Sequence, residues 1–145
     1  MMSNEWKPSL SKPNVVCDKS YTFALEIITL ARILRKQGEY ELASQLLRSG
    51  TSIGANIEEA QSGVSRADFV AKIGIASKEA RETHYWLRLI RNAKLIQPDT
   101  IASHIYDICE LHRLLTAIVK RVQVHRPPKL NIEHSPLKIR KVSYA

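Results

Sequence analysis

Leu46-Leu47-Arg48-Ser49-Gly50-Thr51-Ser52-Ile53-Gly54-Ala55-Asn56-Ile57-Glu58-Glu59-Ala60 is the stretch that decides how this chain folds. With Ala43 just ahead of it, its apolar and small residues fall at Ala43, Leu46, Gly50, Ile53, Ile57 and Ala60. That is the alternating three-and-four spacing of one helical face. Each glycine inside a helix costs about 1 kcal/mol against alanine. Keeping Gly50 and Gly54 therefore implies a neighbouring backbone that leaves no room for a side chain, in a tight helix–helix contact. Asn56 lies one position from this face, where a partly buried amide needs hydrogen-bond partners. Its expected role is to fix the register between helices, as a core Asn does in coiled coils.

Outward from this segment, the same periodicity organises most of the chain. Helix one is expected over about 19–37, capped by Asp18, with Phe23, Ala24, Ile27, Leu30, Ala31 and Leu34 on one face. Leu25, Ile28 and Ile33 widen that face, which favours a bundle that also packs on a further copy. Gly38 ends this helix, and helix two covers about 41–61. Ser62-Gly63 breaks it, and helix three runs over about 65–92 with Phe69, Ile73, Ala76, Ala80, Thr83, Leu87 and Ile90 inward. Gln97-Pro98-Asp99 marks the next turn. Helix four, about 99–123, points Ile101, Ile105, Ile108, Leu111, Leu115, Ile118 and Val122 inward. The fold class is all-α. Short links between the four helices favour an antiparallel up-down-up-down four-helix bundle over 19–125. A flexible N-terminal arm, 1–18, precedes it, and a basic C-terminal tail, 126–145, follows.

Recognition rests on several separate runs: Gln45-Leu46-Leu47-Arg48, Ser52 to Ala60, Asp68-Phe69, and Glu82-Thr83-His84-Tyr85-Trp86-Leu87. Together they resemble the bacterial four-helix-bundle family of 23S rRNA-intervening-sequence proteins, whose founding members are encoded inside large-subunit ribosomal RNA genes. That family includes the accessory variability protein of diversity-generating retroelements. The resemblance covers roughly Tyr21 to Val122, with Ala60 standing where members commonly carry glycine. It implies an antiparallel bundle assembled as a homopentamer. For the retroelement branch it implies binding to RNA or DNA and to a reverse transcriptase.

Composition bounds the function classes. A chain of 145 residues that is 44% hydrophobic buries one core without disulfide or metal staples. Cys17 and Cys109 have no Cys or His neighbour at metal-ligand spacing, which suits free thiols in a reducing cytoplasm. No stretch approaches the roughly 20 apolar residues of a membrane span, so a cytoplasmic location is expected. Paired Glu-x-x-His motifs, the mark of a di-iron bundle, do not occur: Glu82–His84 and Glu110–His112 are two residues apart, on different sides of a helix. His84, His104 and His112 read as hydrogen-bonded core or interface residues. Glu58 and Glu59 read as partners of Arg48 or Arg81 in an ion pair, since no nucleophile accompanies them. No catalytic residue, metal or cofactor is expected, and the chain reads as a non-enzymatic binding module.

The net charge is +8 and the pI about 9.7, a balance that attracts polyanions. On helix three, Lys78, Arg81, Tyr85 and Arg88 share three-and-four spacing, and Arg91 and Lys94 extend the charge toward the helix end. Such a stripe tracks phosphates while a tyrosine stacks on an exposed base. Arg35 and Lys36 close helix one, at the same end of an up-down bundle as Arg91 and Lys94, where the four are expected to form a basic rim. Repetition in a ring multiplies that attraction. The tail reads either as a plain solubilising extension or as an arm that orders on a partner, with Lys138, Arg140 and Lys141 as candidates for nucleic-acid contact or part of a segment that orders on a protein.

Overall fold

The structure, a computed structural model, describes residues 14–124. Four helices fill it: α1 (Val15–Lys36), α2 (Tyr40–Gln61), α3 (Arg66–Asn92) and α4 (Pro98–Val124). α2 packs between α1 and α3, α3 between α2 and α4, and α4 closes back on α1 over a smaller area. α1 and α3 sit diagonally across the core, as do α2 and α4. The chain is therefore the all-α, antiparallel four-helix bundle expected from its periodicity.

The core follows the spacing residue by residue. On α3, Phe69, Ile73, Ala76, Ala80, Thr83, Leu87 and Ile90 are all buried. On α4, Ile101, Ile108, Leu111 and Leu115 are buried, while Ile105, Ile118 and Val122 pack partly exposed against them. Each fully excluded Ile or Leu contributes about 1.5–3 kcal/mol. On α1, Leu25 and Ile33 are exposed, so the wide apolar face is only partly covered within the bundle.

The helix ends differ from the sequence reading in instructive ways. α1 begins at Val15, because Asn14 rather than Asp18 caps it: the Asn14 carbonyl Oδ1 accepts from the Cys17 N–H at 3.2 Å. Val16 is buried in this first turn, so residues 15–18, expected in the arm, belong to the bundle. Asp18 sits instead where its charge faces the helix dipole favourably. α1 and α3 end in the same device. Gly38 (φ +83°) and Lys94 (φ +58°) take the left-handed conformation, and the next residues donate back, Glu39 N–H to the Leu34 carbonyl and Leu95 N–H to the Ile90 carbonyl.

The opening segment makes the expected tight contact, with a correction at each polar or small position. At Gly50 the neighbour is the side chain of Ile27, whose Cγ2 would stand 2.8 Å from an added Cβ. At Gly54 the nearest neighbour is the Ser20 hydroxyl, 3.3 Å from an added Cβ, with the Ser20 carbonyl oxygen at an ordinary contact distance of 3.5 Å, so the α1 backbone is near but does not itself exclude a side chain. Asn56 does not bridge helices: its Nδ2 donates to the Ser52 carbonyl (2.8 Å) and hydroxyl (3.0 Å) of its own helix. The buried polar link between α2 and α3 is the Ser49–Thr83 hydroxyl pair, 2.9 Å apart and both wholly excluded from solvent. That pair is the stronger candidate for fixing register, since a slip would take from the buried Ser49 hydroxyl its 2.9 Å partner and leave it the Leu46 carbonyl at 3.4 Å.

Candidate nucleic-acid interface

The seams between neighbouring helices carry different charges. Between α2 and α3, Arg48 pairs with Glu79 (3.2 Å) and with Glu82, and Lys72 pairs with Glu59 (2.8 Å). The partners of Arg48 are thus Glu79 and Glu82 rather than Glu58 or Glu59. Glu82 also accepts from the Trp86 indole N–H (3.3 Å), and its carboxyl is held below the usual range, chiefly by the Arg48 hydrogen bond. Between α1 and α4, Asp18, Glu26, Asp107 and Glu110 line a cleft of about 300 Å³, where Lys19 pairs with Glu110.

The α3–α4 groove is the opposite. About 520 Å³ in volume, it is lined by Ala80, Arg81, His84, Ile108, Cys109, His112 and Arg113, with no carboxylate among them. Buried Ala80 and Ile108 form an apolar floor beneath the cationic walls. Arg81 Nε–H donates to His112 Nε2 (3.2 Å), and Cys109 Sγ lies 3.9 Å from His84 Nε2. Burial pushes both histidines below their ordinary range, helped at His84 by Arg88, Arg91 and His112, and at His112 by Arg81. Both are therefore neutral at neutral pH, and the fixed charge of the groove comes from arginine.

The α3 stripe continues this groove outward. Lys78, Arg81, Tyr85 and Arg88 are all exposed; Arg81 and Arg88 lie on the groove side, whereas Lys78 stands one turn before Glu82 and helps to hold its carboxyl down. Tyr85, 47% exposed, stands edge-on to Trp86 with ring centroids 5.1 Å apart, and the Arg88 guanidinium lies 6.0 Å from its centroid. A supported aromatic ring between cations suits stacking on a base. Arg91, exposed, donates from Nε to Asn92 Oδ1 (3.1 Å), and Lys94 occupies the left-handed turn that ends α3.

The four-residue rim, in contrast, is divided. α1 and α3 end at the same end of the bundle but on diagonal corners. Arg35 leans onto α2, its Nη2 donating to the Ser44 hydroxyl (3.2 Å), and Lys36 is exposed beside it. Lys138, Arg140 and Lys141 lie outside the described residues. Arg113 escaped the sequence reading because on α4 alone it is one isolated cation. Its signal is the register: the contacts 81–112 and 84–109 are symmetric about the α3–α4 turn, so folding the sequence at 93–97 sets Arg113 beside Arg81.

No group of three or more His, Cys, Asp or Glu among the described residues converges to hold a metal ion. No described helix is long and apolar enough to cross a membrane.

Comparison with known proteins agrees with this architecture. A family model described as 23S rRNA-intervening sequence protein matches residues 12–117. Among solved structures, the chain is similar to a protein of unknown function from the S23 ribosomal protein family of Bacteroides thetaiotaomicron. The two are 47% identical over 72% of this chain and 98% of that one, with a TM-score of 0.71. No curated protein matches the chain.

Proposed function

Because the chain belongs to the family of 23S rRNA-intervening sequence proteins, we propose that it is a non-enzymatic scaffold that binds RNA or DNA along its α3–α4 face. The observation that carries this reading is the sorting of charge. Glu59, Glu79 and Glu82 are engaged in the α2–α3 ion pairs and Asp18, Glu26, Asp107 and Glu110 line the α1–α4 cleft, while Arg81 and Arg113, with Arg88 close by, line a groove that has no carboxylate in its lining. A backbone polyanion meets attraction there without a repulsive neighbour. Tyr85 adds a stacking surface for an unpaired base.

Assembly belongs to the same proposal. Tyr21 and Leu25, one turn apart on α1, are 62% and 51% exposed, which favours contact with another copy. The homopentamer is the form the family resemblance implies, and a ring would repeat the basic face around its axis. In the retroelement reading the ring hands nucleic acid to a reverse transcriptase in the cytoplasm; in the alternative it serves beside the ribosomal RNA whose gene encodes it. A titration of the full chain with structured RNA over a range of salt tests the shared claim. Affinity falling steeply with salt is expected. Absence of affinity would refute the claim, and capture of a protein partner that survives nuclease and high salt would favour a protein-docking oligomer instead.

A further inference from the structure

The α3–α4 groove holds a contact that exists in only one protonation state. Arg81 Nε is always a donor, so His112 Nε2, which accepts from it at 3.2 Å, must carry no proton. A proton placed on that nitrogen removes the acceptor and sets two cations against each other. The surroundings of the pair reinforce this. From α3 the facing groups are Arg81, His84 and Arg88, with Arg91 acting on His84; from α4 they are Cys109 and Arg113. None of them is an acid. A groove so arranged resists proton uptake when empty, and the resistance disappears once an anion neutralises its arginines.

Deepening the reading of this face as a nucleic-acid interface, we propose that the groove is a proton-coupled oxyanion site. A phosphate group engaged by Arg81 and Arg113 draws a proton from solvent onto His112 Nε2, which breaks the Arg81–His112 hydrogen bond and turns both side chains to the anion. His84, which senses His112 across the groove, is the second acceptor. Occupancy therefore converts two neutral rings and two arginines into a four-donor cradle over the Ala80–Ile108 floor. The sign follows: a bound anion raises the histidine pKa values, so binding strengthens as pH falls. Linkage limits the gain to about tenfold in affinity per pH unit for each proton taken up. The same chemistry fits a terminal phosphate, a backbone phosphate or free phosphate.

The test uses the full chain. Ring resonances of the histidines are followed by NMR from about pH 7.5 to about pH 5, with and without inorganic phosphate, in the wild type, His112→Gln and His84→Gln. In parallel, affinity for one single-stranded RNA, with and without a 5′ phosphate, is measured over the same range. Phosphate is expected to raise the titration midpoint of His112 and, less, of His84. RNA affinity should rise as pH falls, and His112→Gln should flatten that rise by one proton while retaining a wild-type melting curve. A rise confined to the 5′-phosphorylated strand assigns the site to an RNA end, and a rise for both strands assigns it to the backbone. If RNA binds but His112 titrates identically with and without phosphate, the proton-coupled site is overturned and the interface stands. If His112 responds to phosphate but no RNA binds, the anion site stands and the nucleic-acid reading fails.

Discussion

Replacing Gly50 and Gly74 separately by alanine sets helix propensity against packing within one molecule. Both glycines lie inside helices, so each change should gain about 1 kcal/mol of propensity. A Cβ at Gly74 meets nothing within 4 Å, and that gain should appear in full. At Gly50 the new carbon would stand 2.8 Å from Ile27 Cγ2, 3.0 Å from Cγ1 and 3.3 Å from Cβ, against about 3.5–4.0 Å for a comfortable contact. Ile27 is wholly buried and β-branched, and because its own Cβ is within the crowded distance, rotation about χ1 brings no relief. Overpacking of this kind costs about 1–3 kcal/mol, so Gly50→Ala should end between about neutral and 2 kcal/mol less stable. The two sites should thus differ by about 1–3 kcal/mol in urea unfolding at matched protein concentration. Ile27→Ala alone should cost about 2–5 kcal/mol. In the Gly50→Ala background it should cost at least about 1 kcal/mol less, because the added methyl occupies part of the vacated space. Equal stabilisation at Gly50 and Gly74 would refute the claim that Ile27 fills the notch in α2.

Three further outcomes are expected. Thr83→Val leaves the buried Ser49 hydroxyl only the Leu46 carbonyl at 3.4 Å, so denaturant unfolding should show a loss of about 1–2 kcal/mol, most of it recovered by adding Ser49→Ala. Lys94→Gly relieves a left-handed backbone at φ +58° and should stabilise by about 0.5–1 kcal/mol, seen as a higher melting temperature. Glu82's carboxyl is depressed by Arg48, so its contribution is present above the unfolded glutamate range and lost as pH falls through the folded value. Arg48→Gln should therefore lose less stability on acidification than the wild type, and parallel melts at the same slope would contradict the pairing.

Whatever depends on one helix was legible in the sequence. The inward series of α3, from Phe69 to Ile90, and the Lys78–Arg88 stripe are properties of a single 3.6-residue period, which sequence spacing encodes directly. Whatever depends on two helices was legible only in part. Gly50 announced a close neighbour but not that the neighbour is the Ile27 side chain. Asn56 offered an amide that its own helix satisfies through Ser52, whereas the modest Ser49 and Thr83 make the buried link between helices. Parity of the helices put Arg35 and Arg91 at one end of the bundle but not on one corner. Arg113 needed the α3–α4 register before it had any meaning, and the first turn of α1 was hidden because Asn14 outcompeted Asp18 as the cap.

The central claim is that nucleic acid follows the carboxylate-free α3–α4 face rather than the net charge of the chain. Two triple variants remove the same charge from different places: Arg81→Gln/Arg88→Gln/Arg113→Gln on that face, and Arg32→Gln/Arg35→Gln/Lys36→Gln at the end of α1. The measurement is the slope of log affinity for single-stranded RNA against log salt, in which each lost phosphate contact lowers the magnitude by about 0.7. The first variant should lose about 2 from the slope along with most of its affinity, and the second should stay near the wild type. Equal losses in both would show that only total charge matters and would contradict the interface.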